Sequence, residues 1–255
     1  MRSRGLDVRD PSELWIPRRR LPNVTALICF PSSGGTAAAF SAWKQVALPD
    51  FEIVPLKLPG RGVRLKEASI ESMPVLVEAL GQAIGPVLPK SYYVFGQCLG
   101  GILAYEFVRW LDGRGFTTPK HLFVAGCWAP MSDLGQTLSA LDEVELIEQL
   151  RAWGGTPDEL LSRRDVLDLM LPPVRADLRL LESYEFKPEP PLSIPITAIR
   201  GASDGFVGKE CLNGWRDCTT GPVTTLEVEG AHFLDPAVVI ATIRAQVDSH
   251  AEAPR

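Results

Sequence analysis

Three side chains far apart in the chain, Cys98, Asp204 and His232, are of the types that together carry out acyl transfer. Cys98 is the centre of Gly96-Gln97-Cys98-Leu99-Gly100-Gly101, entered by the β-prone run Tyr92-Tyr93-Val94-Phe95 and left by a good helix former. That is the layout of a nucleophile elbow, a tight strand-to-helix turn that pushes its middle residue outward. The free N–H groups and positive dipole end of the next helix favour a thiolate, and the Leu99 N–H is placed to donate to an oxyanion. A thiol nucleophile wants a base to take its proton and a carboxylate to orient that base. Of the three histidines, His121 opens a buried apolar run and His250 lies near the end of the chain. His232, in Val228-Glu229-Gly230-Ala231-His232-Phe233-Leu234, falls between an extended run and a helical one, where such folds gather their chemistry. Asp204 lies in the turn Arg200-Gly201-Ala202-Ser203-Asp204-Gly205, again just after an extended run. The second oxyanion donor is expected from Pro31-Ser32-Ser33-Gly34-Gly35-Thr36, with the Ser33 N–H nominated. Alone, each has a plainer reading: turn glycines, a small buried cysteine, an aspartate in a local turn, a structural histidine. Their order along the chain (nucleophile, acid, base) and their shared place at strand ends favour the chemical one.

The elements that must position them alternate. Residues 24–30, 51–56, 92–97, 121–126, 194–200 and 223–228 read as strands, the first as a run buried on both faces. Helical patterns fall over residues 37–46, 71–84, 99–112, 209–217 and 236–247. Such alternation predicts an α/β fold, a mostly parallel central sheet with helices on both faces. It stops between residues 131 and 191, where helices are predicted over 141–153, 158–161, 165–171 and 174–184, the last two parted by Pro172-Pro173. The expected organisation is a core of residues 1–130 and 192–255 with a helical lid insertion at 131–191, an element that gates access and excludes water.

Bulk properties narrow the field. The 255 residues are 45% apolar and 22% charged, as in a globular protein with a real core. A net charge of −5 and the lack of a basic stripe argue against nucleic acid, and no apolar run approaches membrane-spanning length. Five cysteines, odd in number and without metal-ligand spacing, fit free thiols in a reducing compartment. Met1 to Arg9 has no apolar segment of a secretion signal, so a cytoplasmic location is expected. No glycine-rich stretch fits a dinucleotide or Walker motif, and no cofactor or metal is expected.

The chain resembles the discrete type II thioesterases of modular polyketide and nonribosomal peptide synthases, within the α/β-hydrolase superfamily. The resemblance rests on Cys29-Phe30-Pro31-Ser32-Ser33-Gly34-Gly35, Leu58-Pro59-Gly60-Arg61 and Val94-Phe95-Gly96-Gln97-Cys98-Leu99-Gly100-Gly101. It continues in Ala125-Gly126-Cys127-Trp128-Ala129-Pro130, Gly154-Gly155-Thr156-Pro157-Asp158-Glu159 and Tyr184-Glu185-Phe186, and closes with Gly201 to Asp204 and Gly230 to Leu234. It implies an enzyme that removes acyl groups from the phosphopantetheine arm of an acyl or peptidyl carrier protein, the lid helices forming the acyl chamber. Carrier proteins are acidic, which makes Arg18 to Arg20, Arg61 and Arg64 the expected docking charges. Where the family has Gly-His-Ser-Met-Gly, this chain has Gly-Gln-Cys-Leu-Gly. Cysteine forms a thioester from a thioester, so loading is close to isoenergetic and the acyl group stays activated, which favours transfer or cyclisation over hydrolysis. Two rival readings stay open: a lactone hydrolase similar to dienelactone hydrolases, and a non-catalytic scaffold that binds carrier proteins.

Overall fold

A computed structural model describes residues 10–17, 24–46, 51–132, 135 and 137–251. Arg18, Arg19 and Arg20 lie outside the described residues. Six strands, β1 (Thr25–Phe30), β2 (Phe51–Pro55), β3 (Tyr92–Gln97), β4 (Leu122–Ala125), β5 (Ile196–Gly201) and β6 (Val223–Val228), form one sheet in the order β2-β1-β3-β4-β5-β6. Every pairing is parallel; Ile28 of β1, for example, lies in register with Val54 on one side and Val94 on the other. Parallel strands put all their carboxyl ends on one edge, and the order reverses between β1 and β3. In an open α/β sheet such a reversal opens a crevice at the strand ends, the usual place for a ligand.

The sequence period explains how both faces of the sheet are covered. Ala26, Ile28 and Phe30 of β1 point to one face, into a core shared with α3 (Met73–Ile84) and α4 (Leu99–Gly113). Leu27 and Cys29 point to the other, where Trp43 of α2 (Trp43–Val46) and Val239, Ile240 and Ile243 of α8 (Pro236–Ala251) pack. The short helix α1 (Ser12–Trp15) buries Trp15 against the first core, while Leu14 is exposed. The predicted helix over 37–46 is a 3-10 turn at Ala37–Phe40 followed by α2, and residues 209–217 also form a 3-10 stretch. The closing helix runs to Ala251, past the expected end at residue 247.

Between β4 and β5 come α5 (Glu143–Trp153), α6 (Asp158–Leu161) and α7 (Arg164–Glu182). Asp142 and Glu145 make a reciprocal capping box at the start of α5, and Gly154 ends it in the left-handed conformation. These helices bury their own apolar stripe, built from Leu146, Leu150, Trp153, Leu161, Leu167, Leu171, Val174 and Leu178. The two helices predicted on either side of Pro172-Pro173 are one continuous helix, α7. The prolines remove the donors for the carbonyls of Asp168 and Leu169, but both residues are exposed, so water can serve them. The buried stripe runs unbroken past the prolines and keeps the helix continuous across a signal that locally says stop.

Candidate active site

Cys98 connects β3 to α4 and is the one non-glycine with positive φ among the described residues, at φ 54° and ψ −125°. A strained backbone of this kind persists only where its surroundings enforce it. Here the Cys98 N–H donates to Ala125 O at 2.9 Å, and the Cys98 carbonyl accepts from Gly101 N at 2.9 Å. The flanking glycines allow the turn to be this tight. A Cβ on Gly96 would sit 2.2 Å from Gly100 O, and one on Gly100 would sit 2.4 Å from Phe30 O. Strand, turn and helix can touch only because neither residue has a side chain.

The other expected residues meet Cys98 at the same edge of the sheet. Asp204 follows β5, and its Oδ1 accepts from the N–H groups of Phe206 (2.8 Å) and Val207 (3.0 Å). That leaves Oδ2 for His232, whose Nδ1–H donates to it at 3.0 Å. Both side chains are buried. Burial raises the Asp204 carboxyl pKa, but His232 and the two backbone donors outweigh it and hold the group below its usual range. For His232, burial works against the charge, yet the Asp204 hydrogen bond and the neighbouring Cys98 sulfur push its pKa up from 6.5 to about 9. Its Nε2 is buried and has no conventional hydrogen-bond partner, which leaves the sulfur as its polar neighbour. His121, just before β4, is engaged elsewhere: its Nε2 lies 2.8 Å from Thr197 Oγ1 and its ring stacks on Phe123. His250 belongs to α8.

Ser33 follows β1, on the far side of the crevice from His232, and lines the same two cavities as Cys98. Among the described residues, the backbone hydrogen bonds include none donated by the Ser33 or Leu99 N–H. One cavity, of about 310 Å³, passes Gln97, Trp43, Thr156 and Phe233 to the surface. The other is a narrow apolar slot lined by Trp128, Leu138, Trp153, Leu178, Leu181 and Phe206. The sulfur therefore lies where a wider and a narrower space meet.

Several residues that support the site were given no role from the sequence. Gln97 Nε2 donates to the His232 carbonyl at 3.5 Å and so ties the elbow to the histidine loop. Arg200 braces the acid loop, donating to Val207 O at 3.0 Å and Asp204 O at 2.9 Å. Phe206 meets the His232 ring edge-on at 5.3 Å between centroids, and Trp153 of α5 stands 6.5 Å from it. Gln97 stood out in the sequence only as a departure from the family pattern, and Arg200 only as the one charge in β5. Arg61 and Arg64 do not serve as the expected docking charges. Both are buried; Arg61 pairs with Asp177, and Arg64 with Glu67 while stacking over Trp15. A guanidinium whose donors are spent inside the protein cannot meet a partner's surface. Among the described residues no group of three or more His, Cys, Asp or Glu is arranged to hold a metal ion, and no helix is long and apolar enough to cross a membrane.

Residues 25–246 match the model of the thioesterase domain family. The chain belongs to that family and is a thioesterase with the α/β-hydrolase fold. It is 31% identical over 208 residues to gramicidin S biosynthesis protein GrsT of Aneurinibacillus migulanus, covering 81% of each chain. It is also 31% identical to thioesterase PikA5 of Streptomyces venezuelae, across 91% of this chain and 83% of that one. Among solved structures, RedJ, a thioesterase from the prodiginine biosynthetic pathway of Streptomyces coelicolor, superposes with a TM-score of 0.82 at 36% identity, covering 87% of this chain and 90% of that one.

Proposed function

We propose that this thioesterase acts on acyl groups carried on the phosphopantetheine arm of acyl or peptidyl carrier proteins in polyketide or nonribosomal peptide biosynthesis. Its nucleophile is Cys98, its base His232 and its orienting acid Asp204. The observation that carries the reading is the strained, outward turn at Cys98 beside a histidine already bonded to a buried carboxylate. The biosynthetic setting is drawn from the roles named for GrsT and RedJ.

Cys98 gives its proton to His232 and its sulfur attacks the thioester carbonyl. The carbonyl oxygen takes the negative charge and is held by the N–H groups of Leu99 and Ser33. The tetrahedral intermediate then expels the pantetheine sulfur, which receives the proton from His232, leaving an acyl-S-enzyme. Asp204 keeps the proton of the neutral imidazole on Nδ1 and stabilises the cation. The wider cavity suits the polar arm, and the apolar slot under the lid, residues 131–191, suits the acyl chain. The arm is the substrate's own, so no further cofactor enters the scheme.

The acyl-S-enzyme is itself a thioester, and its carbonyl stays open to an amine, thiol or carbanion. Transfer or cyclisation therefore competes with hydrolysis. The test is to expose the protein to a panel of acyl-pantetheine thioesters and read the intact mass. An acyl adduct on Cys98, lost in Cys98→Ala, is expected. Turnover of a small lactone with no adduct from any thioester would point instead to lactone hydrolysis. With acceptors present, free acid as the sole product would rule out transfer.

A further inference from the structure

A buried ion pair joins the inserted helices to the core at the oxyanion loop. Asp177 lies on α7, and Arg61 lies in the Leu58-Pro59-Gly60-Arg61-Gly62 loop after β2; both are about 5% exposed or less. Arg61 grips the carboxylate with both terminal nitrogens, Nη2 donating to Oδ1 at 2.7 Å and Nη1 to Oδ2. Its Nε is spent on Pro59 O at 3.3 Å, so the guanidinium is fixed to its own loop. The same Asp177 Oδ2 accepts a second bond, from the backbone N–H of Gly34, at 2.7 Å. Gly34 follows Ser33 directly. It has φ +69°, and a Cβ there would fall 2.3 Å from Val174 Cγ2, one turn before Asp177 on the same helix. Val174 and Asp177 thus hold this residue from two successive turns of α7.

We propose that Asp177 and Arg61 are positioning residues for acyl transfer, which aim the Ser33 N–H at the oxyanion by anchoring Gly34 to α7. The inference rests on the reading that the Ser33 N–H is an oxyanion donor. A donor helps only if it is already pointed at the developing charge, and the Ser33–Gly34 peptide, next to the one that carries the Ser33 N–H, borders a left-handed glycine and so has alternative orientations that would turn Ser33 with it. The Asp177 carboxylate removes that freedom by taking the next N–H in the chain. Arg61 is needed because a carboxylate buried with one backbone donor would be badly under-compensated. The pair also makes the geometry conditional on α7 being docked, so the oxyanion site is complete only when the helices cover the sulfur.

The test separates thioester attack, which builds an oxyanion, from alkylation by iodoacetamide, which does not. Both rates are measured at Cys98 by intact mass in the wild type, Asp177→Asn and the uncharged pair Asp177→Asn/Arg61→Gln. The double variant carries the test if the single one, with its unpaired buried guanidinium, does not fold. Removing a whole donor costs about 10²–10³-fold, so misaiming one is expected to slow acylation by about 10-fold or more. Alkylation should stay within about twofold of wild type, because sulfur and imidazole are untouched. A general structural role would slow both reactions together, and a bystander would slow neither; either result overturns the proposal. No acylation of Cys98 in the wild type would instead overturn the underlying assignment of the nucleophile.

Discussion

The protonation of His232 is set by a contest between burial and two neighbours, and the neighbours win. Because its folded pKa of about 9 lies above the ordinary 6.5, its contribution to stability is whole below about 6.5 and is lost as pH rises through about 9. Asp204 runs the other way: its lowered pKa contributes stability above about 3.8 that is lost as pH falls through the folded value. Asp204→Asn removes the charge but keeps the shape. The melting-temperature gap between wild type and this variant should be widest near pH 5–6 and narrow on both sides, most clearly as pH approaches 9. A gap independent of pH would mean that the bond carries no charge. In turnover the same variant should lose about 10³–10⁴-fold, since the imidazole loses the acceptor that fixes its tautomer.

At the scale of elements, the inserted helices depend on their own apolar stripe more than on local propensity. α5 is well capped at both ends, but α7 contains two prolines that would break an isolated helix. Leu146, fully buried in the stripe between α5 and α7, is the test position. Leu146→Ala should cost about 2–5 kcal/mol locally, and amide exchange should quicken across residues 143–178 while the β1, β3 and β4 amides stay protected. Uniform loss of protection would show that insertion and sheet unfold as one unit. The phrase Tyr184-Glu185-Phe186 has a structural part to play here. The Tyr184 hydroxyl bonds Glu106 of α4, and Arg109 stacks on Phe186, so the end of α7 is pinned to the core.

For the whole molecule, the sheet sorts five chemically identical thiols into different fates. Burial pushes Cys29 and Cys127 well up, and Cys218 up to about 12. Cys211 is half-exposed on the 3-10 stretch, far in sequence from the elbow. Only Cys98 joins a cavity, a helix N-terminus and an imidazole. In a Cys211→Ser background, iodoacetamide is expected to label one site, Cys98, at least about tenfold faster than any other, read by peptide mapping. Equal labelling across the remaining thiols would argue that the fold does nothing special for this sulfur.

The alternation of strands and helices, the turn around Cys98 and the placing of Asp204 and His232 after strands were all legible along the chain. They depend on period-two and period-3.6 patterning, on glycine and on order, which are local properties. The continuity of α7 through Pro172-Pro173 was not legible, because tertiary burial outweighed a local break. Nor was the inward turn of Arg61, whose partner lies 116 residues away, or the approach of Trp153 and Phe206 to the imidazole. Which charge is buried, which proline is overruled and which carbonyl is held are decided by contacts between distant segments, and those exist only once the chain has closed on itself.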